Sequence, residues 1–201
     1  MTARLRISLL ALALAFALSA KAEAVPTPQP ATQPVDATAP SYDLKPQALL
    51  DLADLQKKFV SLAKAVPADK YDWRPTEGVR SFGEVFLHVA GTIFQLSPAI
   101  GAPPIPGFKA DDYDKSKMDK AQIVDKLNQS FDYARDAIEK MSNADFKKPL
   151  KQFGPDASAG DIVYLLITDI HEHLGQSIAY ARTNDIVPPW TAARLNAQPK
   201  N

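Results

Sequence analysis

The chain has 201 residues, with 23 basic and 23 acidic side chains and no cysteine. The lack of cysteine excludes disulfides, thiolate metal sites, cysteine nucleophiles and iron–sulfur clusters, so stability has to come from an apolar core. Removal of Arg4, Arg6, Lys21 and Glu23 with a predicted signal peptide leaves 20 basic and 22 acidic residues. Such a slightly acidic chain has no electrostatic reason to bind nucleic acid or an anionic membrane.

Residues 1–24 have the pattern of a secretory signal peptide. Arg4 and Arg6 give a positive start, residues 7–18 are apolar, and the small residues that follow predict cleavage after Ala24. The apolar run is too short to cross a membrane comfortably, and no second run follows, so we expect no stable membrane span after cleavage. An uncleaved anchor is the alternative. The sequence thus predicts an exported chain, either periplasmic or secreted.

Residues 25–44 are rich in proline, alanine, threonine and glutamine. Because such a composition cannot bury enough apolar surface to order itself, this segment is predicted to be an extended, disordered linker. Residues 45–192 have the right length for one domain, and residues 193–201 are left as a tail.

Four segments with apolar residues near the 3.6-residue period predict four helices. They cover about residues 47–66, 81–97, 119–141 and 158–182. The second and fourth begin with Ser81 and Ser158, each followed three residues later by an acidic residue that can complete a capping box. No segment alternates with period two over the length of a strand, so the domain is predicted to be all-α.

The connection between the second and third helices is long and rich in proline and glycine. Its length of about 20 residues suffices to cross from one end of a helical bundle to the other. The sequence therefore predicts a four-helix bundle of up-down-down-up order, with a long crossover between helices 2 and 3.

All three histidines lie in two of these helices, His88 in the second and His171 and His173 in the fourth. At about 100° per residue, Asp169 and His173 share one edge of the buried face, whereas His171 falls nearly opposite. His88 borders the apolar stripe of the second helix and can meet this pair if the two helices are neighbours. Two imidazoles and one carboxylate suit Zn, Ni, Fe or Mn and leave coordination positions open. The predicted site for a divalent metal ion is therefore His88, Asp169 and His173.

The residue pattern also leaves a purely structural interpretation open. A histidine at the border of a core is often simply hydrogen-bonded, and an aspartate one turn before a histidine is an ordinary helix-face pair. His171 and Glu172 are expected at the exposed rim, and Glu84 is expected to cap the second helix. Gln176 and Tyr180 fall on the same side of the fourth helix as the candidate ligands.

Four short motifs occur in a recognisable order. They are Tyr71-Asp72-Trp73-Arg74-Pro75, Arg80-Ser81-Phe82-Gly83-Glu84 with His88, His173-Leu174-Gly175-Gln176 and Val187-Pro188-Pro189-Trp190. Their order and spacing resemble the DinB-like superfamily of four-helix bundles over about residues 45–191. Members of that superfamily typically bind a divalent metal through three histidines, one on the second helix and two at i and i+4 on the fourth. By this resemblance His88 and His173 are the first and last ligands, Asp169 stands where histidine is usual, and Leu174 stands where arginine is usual.

The resemblance implies a metal-binding protein and leaves its reaction open, and the predicted signal peptide adds that the protein is exported. Relatives of known activity include thiol-dependent transferases and isomerases, in which a bound metal activates the thiol of a low-molecular-weight cofactor. A metal-dependent transferase and a hydrolase are therefore both expected options, each acting on an unknown small-molecule substrate. The alternative is a non-catalytic periplasmic binding module that has lost the activity of its metal site, and a purely structural protein is a third option. A homodimer is one option for the oligomeric state.

Overall fold

A computed structural model describes residues 43–154 and 156–197 of the chain. Within these ranges the regular secondary structure is helical, apart from one isolated β-bridge between Pro149 and Ser158. The predicted all-α class is therefore confirmed. The predicted signal peptide, the linker up to residue 42 and the last four residues of the tail lie outside the described residues. None of the helices in these two ranges is both long and apolar enough to cross a membrane.

The α-helices of the described residues follow one another along the chain. They are α1 (Leu44–Ala65), α2 (Phe82–Leu96), α3 (Ala110–Tyr113), α4 (Lys120–Lys140), α5 (Ala159–Thr183) and α6 (Pro189–Asn196). The four long ones, α1, α2, α4 and α5, correspond to the four segments predicted from apolar periodicity. The short helices α3 and α6 were not predicted, because a helix of four or eight residues has too few positions to display a period.

Capping boxes fix where three of the long helices begin. Ser81 and Glu84 form the predicted box at the start of α2, and Ser158 and Asp161 form the one at the start of α5. A third box begins α4. In each box a side chain accepts a hydrogen bond from a backbone N–H that has no partner inside the helix. Glu84 is thus a cap, as expected.

The four long helices surround one apolar core, in which α1 and α2 each pack against both α4 and α5. The largest fully buried side chains are aromatic, namely Phe59, Phe82, Phe86 and Phe131. Phe59 meets Phe86 edge-on, with ring centroids 6.4 Å apart and planes at 85°. Burial of such a side chain contributes about 1.5–3 kcal/mol, so the core can stabilise a domain that has no covalent cross-link.

Hydrogen bonds at the helix ends show the relative direction of two pairs of helices. Lys45 at the start of α1 donates to two carbonyl oxygens at the end of α4, each at 2.7 Å. Lys120 at the start of α4 donates to two carbonyl oxygens at the end of α1, also at 2.7 Å. Tyr180 near the end of α5 donates to the carbonyl of Arg80, immediately before the cap of α2 (3.2 Å). The α1–α4 and α2–α5 pairs are therefore antiparallel, and the middle of α2 faces the middle of α5.

Candidate metal centre

The structure brings His88 of α2 together with Asp169 and His173 of α5. One ligand atom of each residue lies within 4.8 Å of the corresponding atoms of the other two. The imidazole rings have centroids 4.7 Å apart and are nearly perpendicular, at 79°. His173 Nε2 is 3.7 Å from Asp169 Oδ1. All three side chains are partly buried, so the group lies at the edge of the core and remains accessible from solvent.

The helical phase of α5 decides which of its polar residues join this group. Asp169 and His173 are one turn apart, and Leu174 beside them is buried in the core. His171 and Glu172 are exposed, as expected from the phase. The sequence His-Glu-His at 171–173 therefore contributes only His173 to the group, and the second α5 residue is Asp169 from the preceding turn.

Each imidazole of the group makes a hydrogen bond at Nδ1. His88 Nδ1 lies 3.1 Å from Asp114 Oδ2, and His173 Nδ1 lies 2.9 Å from Gln176 Oε1. Because a carboxylate or amide oxygen only accepts hydrogen bonds, each Nδ1 is the donor. In the neutral rings the lone pair is then on Nε2. This is the usual arrangement of a metal-binding histidine, whose other ring nitrogen donates to an oxygen acceptor.

The two acceptors belong to a hydrogen-bond network that joins the histidines behind the site. Gln176 Nε2 donates to the Tyr180 hydroxyl (3.0 Å), and that hydroxyl donates to the Arg80 carbonyl (3.2 Å). The Arg80 guanidinium donates through Nε and Nη2 to Asp114 Oδ2, at 3.1 and 3.0 Å. These hydrogen bonds connect His88 to His173 through Asp114, Arg80, Tyr180 and Gln176.

Asp114 reaches the site from the connection between α2 and α4, directly after α3. This segment packs against α2 at Gly91, less than one turn after His88. A Cβ atom at Gly91 would be 3.4 Å from Tyr113 Cδ1 and 3.8 Å from Asp114 Oδ1. Tyr113 also packs edge-on against Phe94, with ring centroids 6.0 Å apart. Asp114 was missed at the sequence level because it lies in no periodic segment and no motif.

The donor set fits a divalent cation. Asp169 Oδ2 is buried and has no hydrogen-bond partner among the described residues. Such an orphaned oxygen costs about 1–3 kcal/mol, and a cation held by the group would supply its missing partner. Burial, and then the nearby Arg80 guanidinium, lower the pKa of His88 against the opposing effect of Asp114. His88 is therefore neutral near pH 7, and neutral imidazole is the form that binds metals.

The amino-acid sequence matches a family model described as the DinB superfamily, over residues 51–177. The match spans most of the helical domain and includes all three residues of the candidate site. The chain belongs to the DinB superfamily. This confirms the resemblance inferred from the short motifs.

A solved structure has a fold similar to that of this domain. The domain resembles a conserved protein from Enterococcus faecalis with a TM-score of 0.58 and 12% sequence identity, over 71% of this chain and 97% of that chain. At this identity the likeness shows the fold alone. No curated protein matches the chain significantly in sequence.

Two positions depart from the pattern that the motifs imply for DinB-like proteins. Asp169 provides a carboxylate where a third imidazole is usual, so the donor set carries one negative charge. Leu174 replaces the usual arginine and is only 5% exposed, packed in the core. The position of Leu174 therefore offers no cation to the site.

Proposed function

We propose that this DinB-superfamily protein binds one divalent metal ion through His88 Nε2, a carboxylate oxygen of Asp169 and His173 Nε2. The proposal rests on the convergence of three donor groups, one of which has a buried carboxylate oxygen without a hydrogen-bond partner among residues 43–154 and 156–197. The Nδ1 hydrogen bonds of both histidines support it, because they leave both Nε2 atoms as acceptors. Two imidazoles and a carboxylate suit Zn, Ni, Fe or Mn and leave positions open for a further ligand.

We propose, more specifically, a metal-dependent enzyme, either a thiol-dependent transferase or a hydrolase. When bound, the metal would act as a Lewis acid that lowers the pKa of a coordinated thiol or water. The protein's own contribution is to hold the two imidazoles in one tautomer, to place the Asp169 carboxyl group beside them, and to leave one side of the group accessible.

A non-catalytic periplasmic binding module is the second candidate function. It is favoured by the two departures from the DinB pattern, because Asp169 changes the donor set and Leu174 is withdrawn into the core. The two functions share the metal ion and differ in whether the ion only holds a ligand or also activates it.

We also propose an up-down-down-up order for the four long helices, with the α2–α4 connection crossing from one end to the other. The antiparallel contacts of α1 with α4 and of α2 with α5 support this order. Further support comes from the starts of α2 and α4, which lie side by side: a Cβ atom at Gly83 would be 3.3 Å from Ile123 Cδ1. We further propose export of the chain to the periplasm or beyond, supported by the sequence pattern of residues 1–24.

Metal content after reconstitution tests the proposed metal site. Metal-free mature protein is incubated separately with Zn, Ni, Mn and Fe(II), desalted, and examined by elemental analysis. We expect one metal ion per chain in the wild type and loss of the metal in His173→Ala, because the third donor is gone. His171→Ala is the matched control on the same helix and should retain the metal. Equal loss from both variants would contradict the assignment of ligands, and no uptake by the wild type would contradict metal binding.

A further inference from the structure

We propose that Asp114 is a positioning residue for the metal site: its carboxylate holds His88 in the orientation and tautomer that bind the metal, and Arg80 holds that carboxylate in place. This inference rests on the proposed function. It assigns a role to a segment outside the four long helices, since Asp114 lies between α3 and α4.

The geometry around Asp114 Oδ2 is the first step. That oxygen accepts from His88 Nδ1 at 3.1 Å and from Arg80 Nε and Nη2 at 3.1 and 3.0 Å. The Asp114 side chain is 18% exposed, so its charge-assisted hydrogen bonds are shielded from most competing water. Among the described residues, the His88 ring makes no other hydrogen bond. Asp114 is thus what fixes the rotation of this ring.

The tautomer of His88 is the second step. A neutral imidazole has one N–H, and its use at Nδ1 leaves Nε2 as the nitrogen with a free lone pair that can bind a metal ion. Without Asp114 the proton is free to move to Nε2, where it would block the ligand atom. For His173 the equivalent role falls to Gln176, which lies on the same helix and therefore needs no other segment.

Arg80 contacts the hydrogen-bond network at two points, through its guanidinium and through its backbone carbonyl. Its guanidinium makes two hydrogen bonds to Asp114, a planar geometry that a lysine ammonium cannot reproduce. Its carbonyl accepts from Tyr180, whose hydroxyl also accepts from Gln176. Ser81, the next residue, caps α2 and fixes the backbone at this point. Arg80 therefore sets the position of Asp114 relative to both metal-facing helices.

An ordinary structural ion pair is the competing explanation for Arg80 and Asp114. Such an ion pair would hold the α2–α4 connection against the start of α2 without affecting His88 or the metal. It would change the stability of the fold and leave the His88 tautomer and the metal affinity as they are. The His88 tautomer and the metal affinity therefore distinguish a positioning role of Asp114 from a purely structural ion pair.

The test measures zinc affinity by competition with a chelator in wild type, Asp114→Ala and Asp114→Asn. We expect the alanine variant to bind zinc about 10–100-fold more weakly, the usual effect of losing an outer hydrogen-bond partner of a metal ligand. The asparagine variant keeps the shape and one acceptor oxygen, so a smaller loss is expected, and it also serves if the alanine variant does not fold. Asp112→Ala, an exposed position in α3, is the matched control and should leave the affinity unchanged.

A second measurement needs no metal. Imidazole 15N chemical shifts of the metal-free protein report which nitrogen of His88 carries the proton, and we expect Nδ1 in the wild type and a loss of this preference in Asp114→Ala. Unchanged zinc affinity and an unchanged tautomer in that variant would overturn the inference and leave the proposed function intact. A wild type that takes up none of Zn, Ni, Mn and Fe(II) would overturn the proposed function and the inference with it.

Discussion

The contribution of Asp169 to stability is predicted to change sign when a metal is added. In the metal-free protein, its Oδ2 is buried without a partner and its side chain is 26% exposed. An unsatisfied buried group costs about 1–3 kcal/mol, and alanine is also the better helix former by about 0.5 kcal/mol. Allowing for partial exposure and for the small void left behind, we expect Asp169→Ala to stabilise the metal-free protein by about 1–2 kcal/mol.

Bound metal should reverse which of the two proteins, the wild type or Asp169→Ala, is the more stable. A ligand at a hundred times its dissociation constant stabilises the native state by about 2.7 kcal/mol. The wild type should gain this amount, whereas Asp169→Ala has lost one of three donors and should gain little. The wild type is then the more stable protein by roughly 1 kcal/mol, the difference between the two effects.

Calorimetric melting of both proteins, once in chelator and once in excess zinc, measures this inversion. One kcal/mol corresponds to about 2–4 °C for a chain of this size, so each shift is resolvable. Glu172→Ala is the matched control, because Glu172 is exposed on the same helix and its replacement should shift melting equally in both conditions. If Asp169→Ala melts below the wild type in both conditions, the carboxylate stabilises the fold through its neighbours, and the reasoning that it awaits a cation is refuted.

Two further predictions concern the fold and the export of the chain. Alanine at Gly160 should destabilise α5 by about 1–3 kcal/mol, because its Cβ atom would be 2.9 Å from the Phe146 carbonyl oxygen. Alanine at Gly175, where no atom lies within 4 Å of a Cβ, should stabilise the same helix by about 0.5–1 kcal/mol. Urea unfolding of the metal-free protein measures both, and destabilisation by both would contradict the contact argument. Export predicts a mature chain that begins at Val25, and intact mass measurement of protein from a periplasmic fraction checks this; an uncleaved chain in that fraction would be evidence for an anchor.

The long helices were predictable because their signals are local. Apolar residues recur at the helical period, and the boxes at Ser81 and Ser158 mark two starts at the sequence level. Two boundaries were harder, and both involve proline. Helix α1 begins at Leu44 rather than near residue 47, with Pro46 in its first turn, and the short helix α6 begins at Pro189. A proline is well suited to the first turn of a helix, because its missing N–H has no partner there in any case.

The candidate site was predictable to the extent that helical phase determines it. The phase of α5 alone separates His171 from His173 and pairs the latter with Asp169. The position of Asp114 next to His88 depends instead on how the irregular connection between α2 and α4 packs against α2 at Gly91. No periodic pattern in the sequence encodes this packing. The pairing of Asp169 with His173 therefore follows from local sequence, whereas the approach of His88 and its hydrogen bond to Asp114 depend on tertiary structure.

The presence of Asp169 in place of a third histidine bears on what the proposed metal could hold. Two neutral imidazoles and one carboxylate would leave a divalent ion with a net charge of about +1, and three imidazoles would leave about +2. Behind the site Arg80 and Asp114 offset each other, and Leu174 in the core supplies no further cation. The excess positive charge would then be confined to the open side of the metal, where it favours an anionic ligand over a cationic one. Because that excess is smaller than in a three-histidine site, a thiolate or carboxylate would be held less tightly, which suits a ligand that must leave again.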